Sequence, residues 1–241
     1  VVSYKAIRGK FGWFKKIKYL LSYWQDWRNF RSLKPNKKIS CLTTDLYPRI
    51  FDKTATTEID PVYFFQGTWC AKKIFESKTT EHYDIGSQTM MVGIISQFVP
   101  TNMIDLRPLS VNLSGLNFIK GNIEALPFAD SSLQSLSSIC VIEHIGLGRY
   151  GDTLDQFGTE KAAKELFRVL AGNGHLYISV PVDSQNKVYF NAHRAFTRDY
   201  VLEIFKGLSL VEEKYIYGKR LVDKYMADQG FGTGLYHFTK R

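Results

Sequence analysis

The chain has 241 residues, 44% of them apolar and 15% aromatic, and carries a formal net charge of +9. That composition supports a packed core and excludes a disordered chain, a collagen-like chain and a coiled-coil rod, while no apolar run reaches the ~20 residues of a membrane-spanning helix. Cys41, Cys70 and Cys140 are scattered and odd in number, which excludes a disulfide framework, gives no CxxC metal site and points to a reducing, cytoplasmic compartment.

The charge is concentrated at the start. Residues 1–38 hold eleven Lys and Arg against the single acid Asp26, a net +10, so residues 39–241 carry −1. The first residue is Val1 rather than Met, which leaves an upstream piece open. Within this arm Trp13, Ile17, Leu20, Trp24 and Trp27 recur at three- and four-residue steps, as on one side of a helix. Lys15, Lys16 and Lys18 flank the stripe. Three readings stay open: a helix on its own domain with a solvated basic face, an interfacial helix on an anionic membrane, or a grip on RNA or protein.

Lys34-Pro35-Asn36 breaks the arm from the body, which places a domain boundary after residue 38. A loop-rich connection follows. Asp60-Pro61 is a helix start, with Asp as cap and Pro in the first turn, and the helix runs from Tyr63 to Phe75. Strands are expected at 82–86, 102–106, 116–119 and 133–141, with a helix at 91–99. A helix from Thr159 to Leu170 stops at Gly172-Asn173-Gly174. His175–Val180 alternates as a strand ended by Pro181. Thr197 caps a helix reaching Phe205, and strands follow at 208–217 and 235–239. This rhythm predicts an α/β fold with a mostly parallel sheet and helices on both faces.

Ligands of such sheets bind beyond the carboxyl ends of the strands. The residues there are Asp84-Ile85-Gly86-Ser87, Asp105-Leu106-Arg107, Gly121-Asn122-Ile123-Glu124 and Cys140-Val141-Ile142-Glu143-His144. Gly86 permits a tight turn and close approach to a ligand. An acid at Asp105 can accept two hydrogen bonds from a ribose diol.

The order and spacing of these segments, with Leu166–Leu176 (LFRVLAGNGHL), resemble the Rossmann-like class I S-adenosylmethionine (SAM)-dependent methyltransferases over residues 82–182. Tyr63-Phe64-Phe65-Gln66, IEHIGLGRYGD at 142–152, FNAHR at 190–194 and GTGLYHF at 232–238 resemble more narrowly the methyltransferase-like family DUF268. The resemblance implies a seven-stranded sheet behind the helical arm, with 39–241 as one domain. It implies that Asp84, Gly86 and Ser87 line the methionine and ribose part of SAM, and that Asp105 binds the ribose hydroxyls. Leu106, Asn122 and Ile123 would then meet the adenine, Cys140 and Val141 the sulfonium, and Tyr63, Gln66 and Arg107 would complete the set. Two departures from the usual pattern stand out: Gln88 and Met90 replace further glycines, and Asn122 replaces the commoner Asp.

A base within reach of the acceptor helps methyl transfer to an alcohol. His144 and His193 follow the fourth and fifth strands and are candidates, with Glu143 beside them. Members of the family are often associated with bacterial surface-polysaccharide gene sets. The resemblance thus implies O-methylation of a sugar, as a nucleotide-sugar or a growing glycan, at the cytoplasmic face of the membrane. The rival readings are a non-catalytic binding or scaffold module on the same fold and an RNA methyltransferase; the near-neutral body counts against nucleic acid. No metal-ligand spacing is present.

Overall fold

The computed structural model describes residues 12–241; the residues before Gly12 and the side chains of residues 13–15, Trp13 and Lys15 among them, lie outside the description. The chain divides into two compact units, Val1–Glu58 and Ile59–Arg241. The boundary expected at 38/39 thus lies inside the first unit.

In that unit the aromatic arm forms helix α1 (Gly12–Ser32). Tyr19 meets the ring of Phe51 edge-on at 5.7 Å, and Lys53 pairs with Asp26 at 3.3 Å. These contacts tie the segment after residue 38 to the helix. Leu21, Trp24 and Phe30 remain exposed on α1. Among the described residues no helix is long and apolar enough to cross a membrane.

The second unit is built on an eight-stranded sheet. Its strands are β1 (His82–Ile85), β2 (Thr101–Asp105), β3 (Leu116–Lys120), β4 (Leu133–Ile139), β5 (Leu170–Val182), β8 (Ser209–Tyr217), β9 (Arg220–Val222) and β10 (Gly232–Thr239). The spatial order is β3-β2-β1-β4-β5-β10-β8-β9. The first five are parallel, β10 runs antiparallel between β5 and β8, and β9 is a short antiparallel edge. A separate hairpin pairs β6 (Lys187–Tyr189) with β7 (His193–Ala195). The sheet therefore has one strand more than the seven expected. The extra strand is β9, three residues turned back by Gly218 at φ +60°.

Helices cover both faces. Helix α2 (Pro61–Ser77) starts where Asp60 accepts from the Val62 and Tyr63 amides, and Lys78 closes it in the left-handed region. With α3 (Thr89–Ile95) it buries Trp69, Ile74, Val92 and Ile95 against one face of the sheet. On the other face α4 (Gly158–Val169) and α5 (Arg198–Ile204) bury Leu166, Val169 and Val201 with Phe205. Truncating a side chain such as Leu166 to Ala would cost about 2–5 kcal/mol.

Two expected boundaries move. Helix α4 ends at Val169, and β5 begins at once with Leu170, which pairs with Leu133. Gly172-Asn173-Gly174 therefore does not stop the helix. It forms an outward bulge in β5, where the register jumps from Leu133↔Leu170 to Ser135↔His175, with Asn173 at φ +59°. Nor does Pro181 end the strand. It lies inside β5, and its carbonyl accepts from the Phe196 amide.

Candidate functional site

A cleft of about 680 Å³, counted out to its mouth, opens at the carboxyl ends of β1, β2, β3 and β4. This is where the strand order reverses, between β1 and β4. Gly86, Asp105, Leu106, Arg107, Asn122, Ile123, Cys140, Val141 and His144 all line it. Sequence reasoning had not singled out Tyr150 from the next loop, which lines it too.

Gly86 sits at φ +68°, and a Cβ there would stand 3.2 Å from Val141 Cγ1 and 4.0 Å from Asp105 Oδ2. Glycine thus keeps both the turn and the cleft open. Gln88 and Met90, which replace the further glycines, point to solvent and line no part of the cleft. Asp105 Oδ1 accepts from the Arg107 amide at 2.8 Å and from Arg107 Nε at 3.4 Å. Its Oδ2 accepts from no described residue, which leaves one carboxylate oxygen for a ligand. Arg107 and Arg149 hold their guanidinium groups over Tyr150, at 4.7 and 5.0 Å from the ring centroid.

Asp84, Ser87 and Gln66 lie behind the cleft. Asp84 is fully buried; it accepts from the Ser87 amide at 3.0 Å and from the Ser137 hydroxyl. Burial pushes its carboxyl up to about 6 against those hydrogen bonds. Ser87 Oγ accepts from the Ile139 amide at 2.9 Å. These two residues brace the Gly86 turn from beneath and do not line the cleft. Gln66 is buried, its Oε1 accepting from Cys140 Sγ and Ser179 Oγ, both at 3.1 Å. Tyr63 is half exposed on α2. Asn122 Oδ1 accepts from the Glu124 amide at 3.0 Å, so its free donor is the Nδ2 amide.

The three acid–base candidates separate. His144 lines the cleft, and its Nδ1 lies 2.6 Å from the Ala192 carbonyl. Nδ1 must donate there, which leaves the lone pair on Nε2. Burial lowers its pKa to about 4, opposed by that carbonyl and helped by Arg149, so the ring is neutral at pH 7. Glu143 is 1% exposed, and its Oε1 lies 3.7 Å from His144 Nε2. Its Oε2 has no partner, and burial pushes the carboxyl up to about 8. His193 is outside the cleft lining, between Tyr189 and Phe231 at 5.0 and 5.5 Å, with a buried and unpartnered Nε2.

The loop after β4 is rich in glycine but not loose. Asp152 Oδ2 accepts from the Gly146 and Gly148 amides at 2.7 and 3.2 Å, and Oδ1 from the Tyr150 amide at 3.2 Å. A Cβ on Gly146 would fall 2.1 Å from the Asp155 carbonyl. Arg194 donates to the Ile145, Asp155 and Gln156 carbonyls and to Thr159 Oγ1. That work is structural and leaves it no free face.

Comparison places this architecture among known folds. The N-methyltransferase NodS of Bradyrhizobium japonicum, solved with S-adenosylhomocysteine, is 15% identical, with a TM-score of 0.54 over 76% of this chain and 89% of its own. The 1,6-didemethyltoxoflavin-N1-methyltransferase of Burkholderia thailandensis is 12% identical, with a TM-score of 0.54 over 73% of this chain and 78% of its own. The chain has the class I SAM-dependent methyltransferase fold. The [4+2]-cyclase SpnF is equally similar, at 11% identity and a TM-score of 0.55 over 72% of this chain and 80% of its own. Residues 123–219 match the family model described as Caenorhabditis protein of unknown function, DUF268, so this part of the methyltransferase fold is DUF268-like. No curated protein matches the chain.

Proposed function

We propose that the chain is a SAM-dependent O-methyltransferase whose acceptor is a saccharide. The observation that carries the SAM reading is the pairing, across one cleft, of a glycine turn that a Cβ would narrow with an Asp105 oxygen left without a partner. Both suit a nucleoside held at the switch point: Asp105 Oδ2 for ribose hydroxyls, Leu106 and Ile123 for the adenine faces, and Asn122 Nδ2 as a donor to a ring nitrogen. SAM, when bound, supplies an activated methyl group. His144 faces the same space with Nε2 unprotonated, and it takes the proton of an acceptor hydroxyl aligned there. His144 is favoured over His193 because only His144 lines the cleft. The saccharide rests on the DUF268 resemblance alone, and so does the placing of the enzyme at the cytoplasmic membrane face, with α1 lying on an anionic surface.

SpnF favours a second reading, since a [4+2]-cyclase is as similar to this chain in fold as the methyltransferases are. Calorimetry with SAM and S-adenosylhomocysteine separates the two classes. Binding of either supports the proposal, and binding of neither favours a non-catalytic or differently catalytic module.

A further inference from the structure

Arg149 is a fixed cation beside the cleft with no anionic partner. Its Nη1 donates to the Ala192 carbonyl at 2.9 Å and lies 3.4 Å from His144 Nδ1, and its guanidinium stands over Tyr150. No carboxylate pairs with it among the described residues. Asp152 spends both oxygens on three backbone amides, and Asp155 takes Lys161. Arg107 is held by Asp105, and Arg194 by backbone carbonyls. The remaining Arg149 donors are therefore free. The charge reaches the groups around the expected acceptor: it pulls the pKa values of Tyr63, Glu143, His144 and His193 downward, against burial at Tyr63 and Glu143 and together with burial at the two histidines. His193 adds a second group. It follows Ala192, the residue that anchors Arg149, and its buried Nε2 has no partner.

We propose that Arg149, with His193 Nε2 as second donor, forms an anion subsite, so that the acceptor carries a carboxylate or a phosphate. A planar guanidinium matches either group with two parallel hydrogen bonds. The inference deepens the function proposed above and rests on it only for taking the anion to be part of an acceptor.

The test is calorimetric titration of the full chain, with and without S-adenosylhomocysteine, using glucose 1-phosphate, glucuronate and glucose as probes. At least one anionic sugar is expected to bind about tenfold or more tightly than glucose, and which one it is distinguishes phosphate from carboxylate. R149Q should erase that preference without changing affinity for S-adenosylhomocysteine, which also reports that the variant is folded. R149K, which keeps the charge, should retain part of it, and H193N should reduce it. Equal binding of all three probes, or an undiminished preference in R149Q, overturns the subsite; an undiminished preference in H193N removes His193 from it. Failure of S-adenosylhomocysteine to bind the unmodified chain would instead sink the methyltransferase reading, and the anion preference would still be measured.

Discussion

Asp105 keeps one carboxylate oxygen for its own turn and leaves the other facing the cleft. Asp105→Asn preserves the acceptor for the Arg107 amide and replaces the free anionic oxygen. Hydrogen bonds to charged groups are worth about 1.5–3 kcal/mol, so affinity for S-adenosylhomocysteine should fall about 10–100-fold. Calorimetry checks this, and an unchanged affinity would remove Asp105 from the site. Glu143 makes a prediction of the opposite kind. Its carboxyl is raised by burial to about 8, so at neutral pH the folded chain holds a proton that the unfolded chain releases. The native state then binds more protons, and stability falls as pH rises from about 4.5 to 8. Glu143→Gln should cancel that decline: melting curves of variant and parent should meet near pH 5, with the variant higher at pH 8. A constant gap across the range would contradict the protonated assignment. At this scale the sequence revealed residue types but not their partners. The resemblance makes Asp84 and Ser87 ligand contacts, yet Asp84 turns inward to Ser137. Asn122 stands where the usual pattern has an acidic acceptor, but its oxygen already serves the Glu124 amide. Such spending is set by neighbours in space, which one sequence does not display.

Among elements, the loop after β4 carries the clearest physical lesson. Its glycines look like flexibility in composition. In the fold they are left-handed residues and points of close approach, and Asp152 holds three amides in register. Asp152→Ala should leave those donors unpaired, a loss of about 1–3 kcal/mol, concentrated in local opening. Trypsin cleavage after Arg149, which lies in this loop, should then accelerate about tenfold, while the far side of the sheet stays protected. Uniform acceleration across the chain would show that the loop has no separate stability. Regular elements were legible where capping is strong, α2 from Asp60-Pro61 and α5 from Thr197; in β5 the alternation read at 175–180 marks the strand, but residues 176–180 are buried on both faces. Where local signals compete with pairing, pairing prevailed. The Gly-Asn-Gly stop signal gave way to the Leu133–Leu170 ladder, and Pro181 stayed in its strand because its carbonyl, rather than the missing amide, makes the bond to Phe196. The three-residue strands β6, β7 and β9 are too short to carry a periodic signal.

For the whole molecule, the division between units sharpens the division of charge. Residues 1–58 carry the entire net +9, and residues 59–241 are neutral overall. The change in sequence composition after residue 38 marked where the charge ends, but the fold closes the unit later, because Phe51 and Lys53 return to Tyr19 and Asp26. The catalytic reading belongs to the second unit, which holds both apolar clusters and the whole lining of the cleft. A chain starting at Ile59 should therefore fold and bind S-adenosylhomocysteine as the full chain does. The membrane proposal belongs to the first unit. Helix α1 presents exposed Leu21, Trp24 and Phe30 with Lys16, Lys18, Arg28 and Arg31, and each cation near an anionic surface contributes about 1 kcal/mol. Vesicles with about a third of their lipid anionic should pellet the full chain at low salt, release it as salt screens the charges, and leave the Ile59 chain in solution. If both chains pellet alike, the attraction does not reside in α1, and the placing of this chain on a membrane loses its physical basis.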